Sequence, residues 1–148
     1  MPLRRYRPED RVACLALFTS NVPDYFAELE RADFVQTLDD IDDYFVIETP
    51  DQGLVACGGY AAIDEAPGAA GLCWGMVRRD LHRRGYGERL LRERLRHIAA
   101  EPRFQRIVIE TTQFSRAFYA RHGFVATREQ RDGFAPGYDL VEMVRPAR

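Results

Sequence analysis

A glycine-containing, arginine-rich stretch ahead of a helix-like segment is the part of the sequence best suited to chemistry. Residues 77–87 read Val-Arg-Arg-Asp-Leu-His-Arg-Arg-Gly-Tyr-Gly. Glycines let the backbone curl so that successive N–H groups point into one hollow, and a helix that begins there adds the positive end of its dipole. Four arginines raise the local positive potential: Arg78, Arg79, Arg83 and Arg84. The pattern predicts an anion site suited to a pyrophosphate, and the alternative is a glycine-containing helix entry with solvated arginines.

Two other phosphate-binding motifs are excluded by particular residues. A dinucleotide fingerprint needs a third glycine three residues after Gly87, and that position is Leu90. A P-loop needs a lysine, whereas all 21 basic residues of the chain are arginine. The lack of lysine in the sequence also excludes a Schiff-base mechanism.

Cysteine and histidine are too scattered to indicate a disulfide or a metal site. Cys14, Cys57 and Cys73 lie far apart among apolar neighbours, which favours reduced, buried thiols in the cytoplasm. The three histidines show no ligand spacing with the cysteines or with each other. We therefore expect no metal.

The elements that must position the loop fit a single domain. The chain has 148 residues, of which 46% are hydrophobic and 30% are charged, enough for a core and a soluble surface. The net charge of −2 argues against nucleic-acid binding. No apolar run reaches the roughly 18 residues of a membrane span. The sequence predicts one domain, 1–148, that is cytoplasmic and has no nucleic-acid or membrane partner.

Hydrophobic patterning predicts the order β-α-α-β-β-β-α-β-α-β-β. Apolar runs at 54–63 and 71–77 are typical of buried strands, and an apolar stripe after Gly85 predicts the clearest helix. The closing strands are predicted at 124–127 and 138–144. This order indicates an α+β fold in which about four helices flank a mixed central sheet of about seven strands.

The loop resembles the acyl-CoA motif of the GNAT superfamily of N-acetyltransferases. That motif runs Gln/Arg-x-x-Gly-x-Gly/Ala about eight residues after a strand-end valine, and Val77, Gly85 and Gly87 keep its spacing. His82 stands where Gln or Arg is usual. This departure should matter little, because in the family the loop binds phosphates mainly through backbone N–H groups.

A second GNAT motif supports the resemblance. Residues 118–124 are similar to the family's Phe-Tyr-x-x-x-Gly-Phe signature, and residues 134–143 are similar to the closing strand of many members. The resemblance covers roughly residues 3–145. It implies a GNAT-like fold that binds acetyl-CoA.

The resemblance assigns two groups of residues to the acetyl-CoA molecule. The backbone of the strand end would pair with the pantetheine amides, and the loop with the first helical turn would hold the pyrophosphate. The strand-end residues are Met76, Val77 and Arg78. The loop and helix residues are His82, Arg83, Arg84, Gly85, Tyr86, Gly87 and Glu88.

The resemblance also implies the catalytic groups. Tyr119 would lie near the thioester sulfur and protonate the departing CoA thiolate, and the alternative is a core tyrosine hydrogen-bonded in the sheet. The base is less defined, because the strand before the loop carries no acid where many members have Glu. Glu110, on the following strand, is the nearby carboxylate, and a water chain, Asp64 or Glu65 would serve as well. Cys73 has no evident His or Asp partner, which favours a buried thiol over a nucleophile.

The implied activity is transfer of an acetyl group from acetyl-CoA to a primary amine by direct attack in a ternary complex. The acceptor would be a small molecule or a protein, and a homodimer is compatible with the fold. Two alternatives stay open. One is a non-catalytic acyl-CoA-binding module of the same fold, and the other is an interaction protein whose acidic segment 39–43 docks a basic partner.

Charge is divided unevenly along the chain. Residues 1–51 hold five basic and 12 acidic side chains, and the remainder has a basic excess. In the family the first two helices help to wall the acceptor side, so acids there would favour a cationic acceptor. The acids in question are Asp24, Glu28, Asp39 and Asp40. The alternative is that they only solvate exposed helices.

Overall fold

The computed structural model describes residues 3–148, which form seven strands and four α-helices. The strands are β1 (Leu3–Arg5), β2 (Asp43–Thr49), β3 (Gly53–Ala62), β4 (Ala69–Val77), β5 (Arg106–Thr111), β6 (Val125–Ala135) and β7 (Tyr138–Pro146). The helices are α1 (Arg11–Ser20), α2 (Arg31–Asp40), α3 (Tyr86–Ala99) and α4 (Arg116–Ala120). The predicted α+β class and order of elements are confirmed.

The sheet contains one feature that creates a cleft. Its strand order is β1-β2-β3-β4-β5-β7-β6, and β4 with β5 is the parallel pair among the described strands. These two strands pair only from Ala69↔Arg106 to Leu72↔Ile109. Because β4 runs on to Val77 without β5 beside it, the strands part and leave a gap in the middle of the sheet.

A β-bulge in β4 lies at the start of this gap. Between the pairs Cys57↔Met76 and Gly59↔Cys73, one residue of β3 faces two residues of β4. The first of those two, Trp74, has φ of +48°, a left-handed conformation that a large side chain rarely adopts. A bulge bends its strand and strengthens the local twist, which turns β4 away from β5.

Helices cover both faces of the sheet. On one face α1 and α2 pack against inward residues of β2, β3 and β4, and on the other face α3 and α4 pack against β3, β4, β5 and β7. The first core holds Cys14, Leu17, Phe18, Phe34, Leu38, Tyr44, Val46, Cys57 and Met76. The second core includes Phe45, Tyr60, Leu72, Leu91, Ile98, Phe104, Ile107, Ile109, Tyr119, Phe124, Val141 and Met143. Met76 and Gly75 therefore face opposite layers, which places the bulge between the two cores.

One predicted strand was too short. The sequence predicts 124–127, whereas β6 runs to Ala135. Most of this strand is exposed and polar, and its backbone is held by pairing with β7, from Val125↔Val144 to Ala135↔Tyr138. Hydrophobic patterning does not detect such an edge strand. None of the helices within residues 3–148 has the length and apolar character that crossing a membrane requires.

Candidate functional site

The gap between β4 and β5 opens into a cleft of about 1190 Å³. Its floor begins at Leu72 and Ile109, where the pairing of the two strands ends. Its walls are formed by the start of α3, helix α4, the segment before α2 and strand residues Gly133, Phe134 and Glu142 of the β6–β7 hairpin. This volume is at the upper end of ordinary ligand pockets, so the cleft has room for a large ligand or for two reactants together.

The N-terminus of α3 gives one end of the cleft free backbone donors. Gly85 caps this helix with φ of +89° and no side-chain cap, and the Arg89 amide makes the first bond to its carbonyl. The amides of residues 86–88 therefore have no acceptor within the helix. Arg83, Arg84 and Arg89 take part in no ion pair with any residue from 3 to 148. Free amides, a helix dipole and unpaired guanidinium groups together make this end of the cleft electropositive.

The end of β4 points its backbone into the same cleft. The Arg78 amide donates to the Val55 carbonyl of β3 at 2.9 Å. Since alternate residues of an antiparallel strand direct their peptide groups to opposite sides, Val77 directs its amide and carbonyl away from β3. Its carbonyl accepts from Asn21 Nδ2 at 2.9 Å and from His82 Nε2 at 2.8 Å. The Val77 amide is left facing the gap.

His82 has a defined place in this arrangement. Because the carbonyl oxygen can only accept, the bond to Val77 requires the proton on Nε2 of His82. Its ring also stands edge-on to Tyr25, with centroids 4.9 Å apart. The His82 side chain therefore connects the loop to the end of β4 by a hydrogen bond. This is the structural role of the histidine that replaces the usual Gln or Arg.

Tyr119 lies in α4 with its ring in the core and its hydroxyl free. The residue is 7% exposed, and the ring packs edge-to-face on Phe118 and Phe124. The side chain lines the cleft, and its hydroxyl forms no hydrogen bond within residues 3–148. A core tyrosine bonded into the sheet would use that hydroxyl, so the structure favours a group that meets a ligand.

The comparisons agree with this geometry. The family model described as acetyltransferase (GNAT) family matches residues 12–124. The chain belongs to the GNAT family. No sequence among the curated proteins matches it.

Several solved structures share the GNAT fold over nearly the whole chain. A GNAT-family protein from Desulfovibrio desulfuricans is 20% identical, with a TM-score of 0.80 and 99% of each chain covered. The ribosomal-protein-S18-alanine N-acetyltransferase from Escherichia coli is 16% identical, with a TM-score of 0.78 and coverage of 99% of this chain and 93% of that one. GphF, a GNAT-like decarboxylase in complex with isobutyryl-CoA, is 15% identical, with a TM-score of 0.79 and full coverage of both chains.

Most of the residues that the GNAT resemblance assigned to the site lie together on the cleft. Those on the lining are Met76, Val77, His82, Arg83, Gly85, Gly87, Glu88, Glu110 and Tyr119. Three do not line it. Arg78 turns outward to Asp80 and Gln52, Arg84 is exposed, and Tyr86 packs with Leu81 and Leu90.

Two of the carboxylates that line the cleft, Glu110 and Glu30, differ in surroundings. Glu110 is exposed at the end of β5, and Arg128 lies between it and Glu142 at 3.4 and 3.8 Å. Glu30, which the sequence analysis did not single out, is 7% exposed and accepts the Ala27 amide at 2.9 Å. Burial raises the pKa of Glu30 above its ordinary range, and the bond from Ala27 offsets this only in part. Asp64 and Glu65 lie in the β3–β4 turn, off the lining.

In this GNAT chain Cys73 directly precedes the bulge, and Trp74 is its first residue. Burial raises the pKa of Cys73 to about 11, which keeps its sulfur a thiol at neutral pH and argues against a nucleophile. The Trp74 ring lies 5.2 Å from the Phe34 ring and 5.9 Å from the Phe26 ring. Its carbonyl accepts the Tyr44 hydroxyl at 2.7 Å, which holds the bulge. Within residues 3–148 no group of acidic, histidine and cysteine side chains is arranged to hold a metal ion.

The acids proposed for the acceptor side lie off the cleft. Asp24 pairs with Arg79, Glu28 with Arg31 and Asp39 with Arg11, while Asp40 accepts from Gln36. The carboxylates of the first 51 residues that do line the cleft are Glu30 and Asp33. Helical position, and not charge count, decides which acids turn inward.

Arg94 is the functional candidate that the sequence analysis missed. It is 2% exposed on the inner face of α3 and lines the cleft. Its position in the sequence indicates burial, because Arg94 lies four residues after Leu90 and four before Ile98, on the buried stripe of the helix.

Proposed function

We propose that the chain is an N-acetyltransferase that moves an acetyl group from acetyl-CoA to a primary amine. The observation that carries the proposal is the shared cleft of the α3 N-terminus, the unpaired end of β4 and the free hydroxyl of Tyr119. Pyrophosphate would be held at one end of that cleft, and the thioester would lie where β4 and β5 part.

In this proposal the pantetheine arm runs along the unpaired edge of β4. The Val77 amide faces the gap and would donate to a pantetheine carbonyl. That carbonyl would take the place of an acceptor on a neighbouring strand. The free amides of residues 86–88 and the side chain of Arg83 would bind the diphosphate, while Arg84 and Arg89 would add positive potential from outside the lining.

The amine would attack the thioester carbon directly. Before the attack, Glu110 takes a proton from the ammonium of the acceptor, and Glu30 is the second carboxylate placed to do so. The carbon–sulfur bond then breaks, sulfur leaves with the electron pair and receives a proton from Tyr119, and Tyr119 regains the proton that nitrogen releases as the amide forms. The raised pKa of Cys73 supports direct attack over an acetyl-cysteine intermediate.

The acceptor side is aromatic with two inward acids. Tyr25, Phe26, Trp74 and Phe114 line the cleft along with Glu30 and Asp33. Aromatic faces and carboxylates favour a cationic amine, either of a small molecule or of a protein.

A release assay tests this function. Acetyl-CoA is incubated with the protein and with polyamines, amino acids, aminoglycosides or peptides, and free CoA thiol is measured. The proposal expects amine-dependent thiol release with at least one class, together with the acetylated amine by mass spectrometry. Tight acetyl-CoA binding without turnover on any class would favour the non-catalytic binding module.

A further inference from the structure

Arg94 is a buried cation without a carboxylate partner. It is 2% exposed, and it belongs to none of the ion pairs formed within residues 3–148. Nη1 donates to the Gly59 carbonyl at 3.2 Å, and Nε is enclosed with no acceptor. Burying an uncompensated charge destabilises the folded state. The fold therefore carries a cation that lacks its anion.

Two strand glycines make room for this guanidinium. A Cβ on Gly75 would lie 2.7 Å from Nη2 and 3.1 Å from Nη1 of Arg94, and a Cβ on Gly58 would lie 3.2 Å from Cζ. Gly59 supplies the carbonyl acceptor. Glycine in a strand interior weakens the sheet, so the sequence accepts a second cost to seat Arg94. Costs that coincide at one place are typical of a functional site.

The guanidinium lies at the acyl end of the cleft. Arg94 is seven residues beyond Gly87, or roughly 10 Å along α3 from its N-terminus. It contacts β4 at Gly75, inside the segment where β4 has left β5. Nη2 has no protein acceptor within residues 3–148 and, unlike Nε, is not enclosed. The open donor therefore faces the cleft between the phosphate end and the floor.

We infer that Arg94 binds a carboxylate carried by the acyl group, so that the cleft accepts a short dicarboxylic acyl-CoA and binds it more tightly than acetyl-CoA. The inference rests on the proposed function for the CoA site. An acetyl group brings no charge and would leave the guanidinium uncompensated. The diphosphate belongs to the other end of α3, and the acceptor side is lined by Glu30 and Asp33 on the opposite face of the sheet.

Transfer of such a group changes nothing at its distal end. The amine nitrogen forms a bond to the thioester carbon, the carbon–sulfur bond breaks, and CoA leaves as the thiol. The distal carboxylate stays ionised and paired with Arg94, so the product is an amide with a free carboxylate.

Binding of CoA, acetyl-CoA, malonyl-CoA and succinyl-CoA by isothermal titration tests the inference without an acceptor. We expect malonyl-CoA or succinyl-CoA to bind the wild-type protein about 10-fold or more tightly than acetyl-CoA, since one charge-assisted hydrogen bond in a buried site is worth at least that. Arg94→Met should abolish the preference and leave CoA affinity unchanged. Arg94→Lys keeps the positive charge and should keep part of the preference for malonyl-CoA or succinyl-CoA. Arg96→Met, on the exposed side of the same helix, should behave as wild type.

Equal affinities for all three acyl-CoAs, or a preference that survives Arg94→Met, would overturn the inference. So would an equal loss of turnover with every donor, because Arg94 would then act on the thioester oxygen. If Arg94→Met does not fold, the wild-type and Arg94→Lys affinities decide. Failure of CoA itself to bind would instead overturn the proposed function.

Discussion

A Cβ atom on Gly75 would lie 2.7 Å from Nη2 of Arg94, closer than real Cβ contacts come. The glycine in the bulge of β4 and the arginine in α3 therefore form one unit across the sheet–helix interface. The guanidinium is held in place at two atoms, because Nη1 donates to the Gly59 carbonyl at 3.2 Å and Nε is enclosed.

Gly75→Ala should destabilise the protein by about 1–3 kcal/mol, because the added methyl group must displace a guanidinium that is bonded at Nη1 and enclosed at Nε. In an Arg94→Met background the same change should cost much less, since the shorter, uncharged side chain vacates the position of the guanidinium. Urea denaturation of the four proteins measures this coupling in a double-mutant cycle. An equal cost of Gly75→Ala in both backgrounds would show that the two residues do not constrain each other.

The order of the elements was predictable because each carries a local signal. The stripe after Gly85 has helical spacing, and the run at 71–77 is apolar throughout. The start of α3 was predictable for the same reason, since the glycines and the apolar stripe are neighbours in the chain. Arg94 was not predictable as a site residue by composition, because its meaning depends on Gly75 in a different element.

Strand β6 and Glu30 were also not predictable, because the position of each depends on residues elsewhere in the chain. β6 is held by its pairing with β7, so its polar residues resemble a loop in the sequence. Glu30 and Glu28 look alike in the sequence, yet the fold buries the first and pairs the second with Arg31 at the surface.

Ionisation of Glu30 should lower the free energy of unfolding as pH rises. Burial raises its folded-state pKa above the unfolded value, so the folded state binds more protons between the two values. The contribution of the protonated group is present below the unfolded pKa and is lost as pH rises through the folded pKa. Glu30→Gln keeps an acceptor for the Ala27 amide and should gain stability relative to wild type as pH rises from about 4 to 8.

Asp10 provides the control of opposite sign. Its bond from Arg4 lowers the pKa of Asp10, so its contribution is present above the unfolded pKa and is lost as pH falls through the folded pKa. Asp10→Asn should therefore cost most at neutral pH. Urea denaturation across the pH range checks both variants, and parallel pH curves for Glu30→Gln and wild type would refute the effect at Glu30.

Tyr119→Phe keeps the ring and removes only the hydroxyl. If Tyr119 protonates the CoA thiolate, turnover should fall roughly 10²-fold with little change in acetyl-CoA affinity. Tyr60→Phe is the matched control, because Tyr60 is a core tyrosine whose hydroxyl bonds to Glu101 away from the cleft. Steady-state kinetics and titration with acetyl-CoA measure turnover and affinity for both variants. Wild-type turnover in Tyr119→Phe would assign the proton to water.

Titration of acetyl-CoA into Gly87→Asp and Gly87→Ala is the most direct test that the α3 N-terminus is the diphosphate site. Gly87 lines the cleft, and a Cβ there meets its nearest neighbour, Val77 Cγ2, at an ordinary 3.6 Å. An acid in the first turn suits the helix dipole, so the fold should persist. A carboxylate beside the diphosphate should cost roughly 100-fold in affinity, whereas Gly87→Ala should stay within a few-fold of wild type. Equal acetyl-CoA affinities for a folded Gly87→Asp and Gly87→Ala would contradict the account.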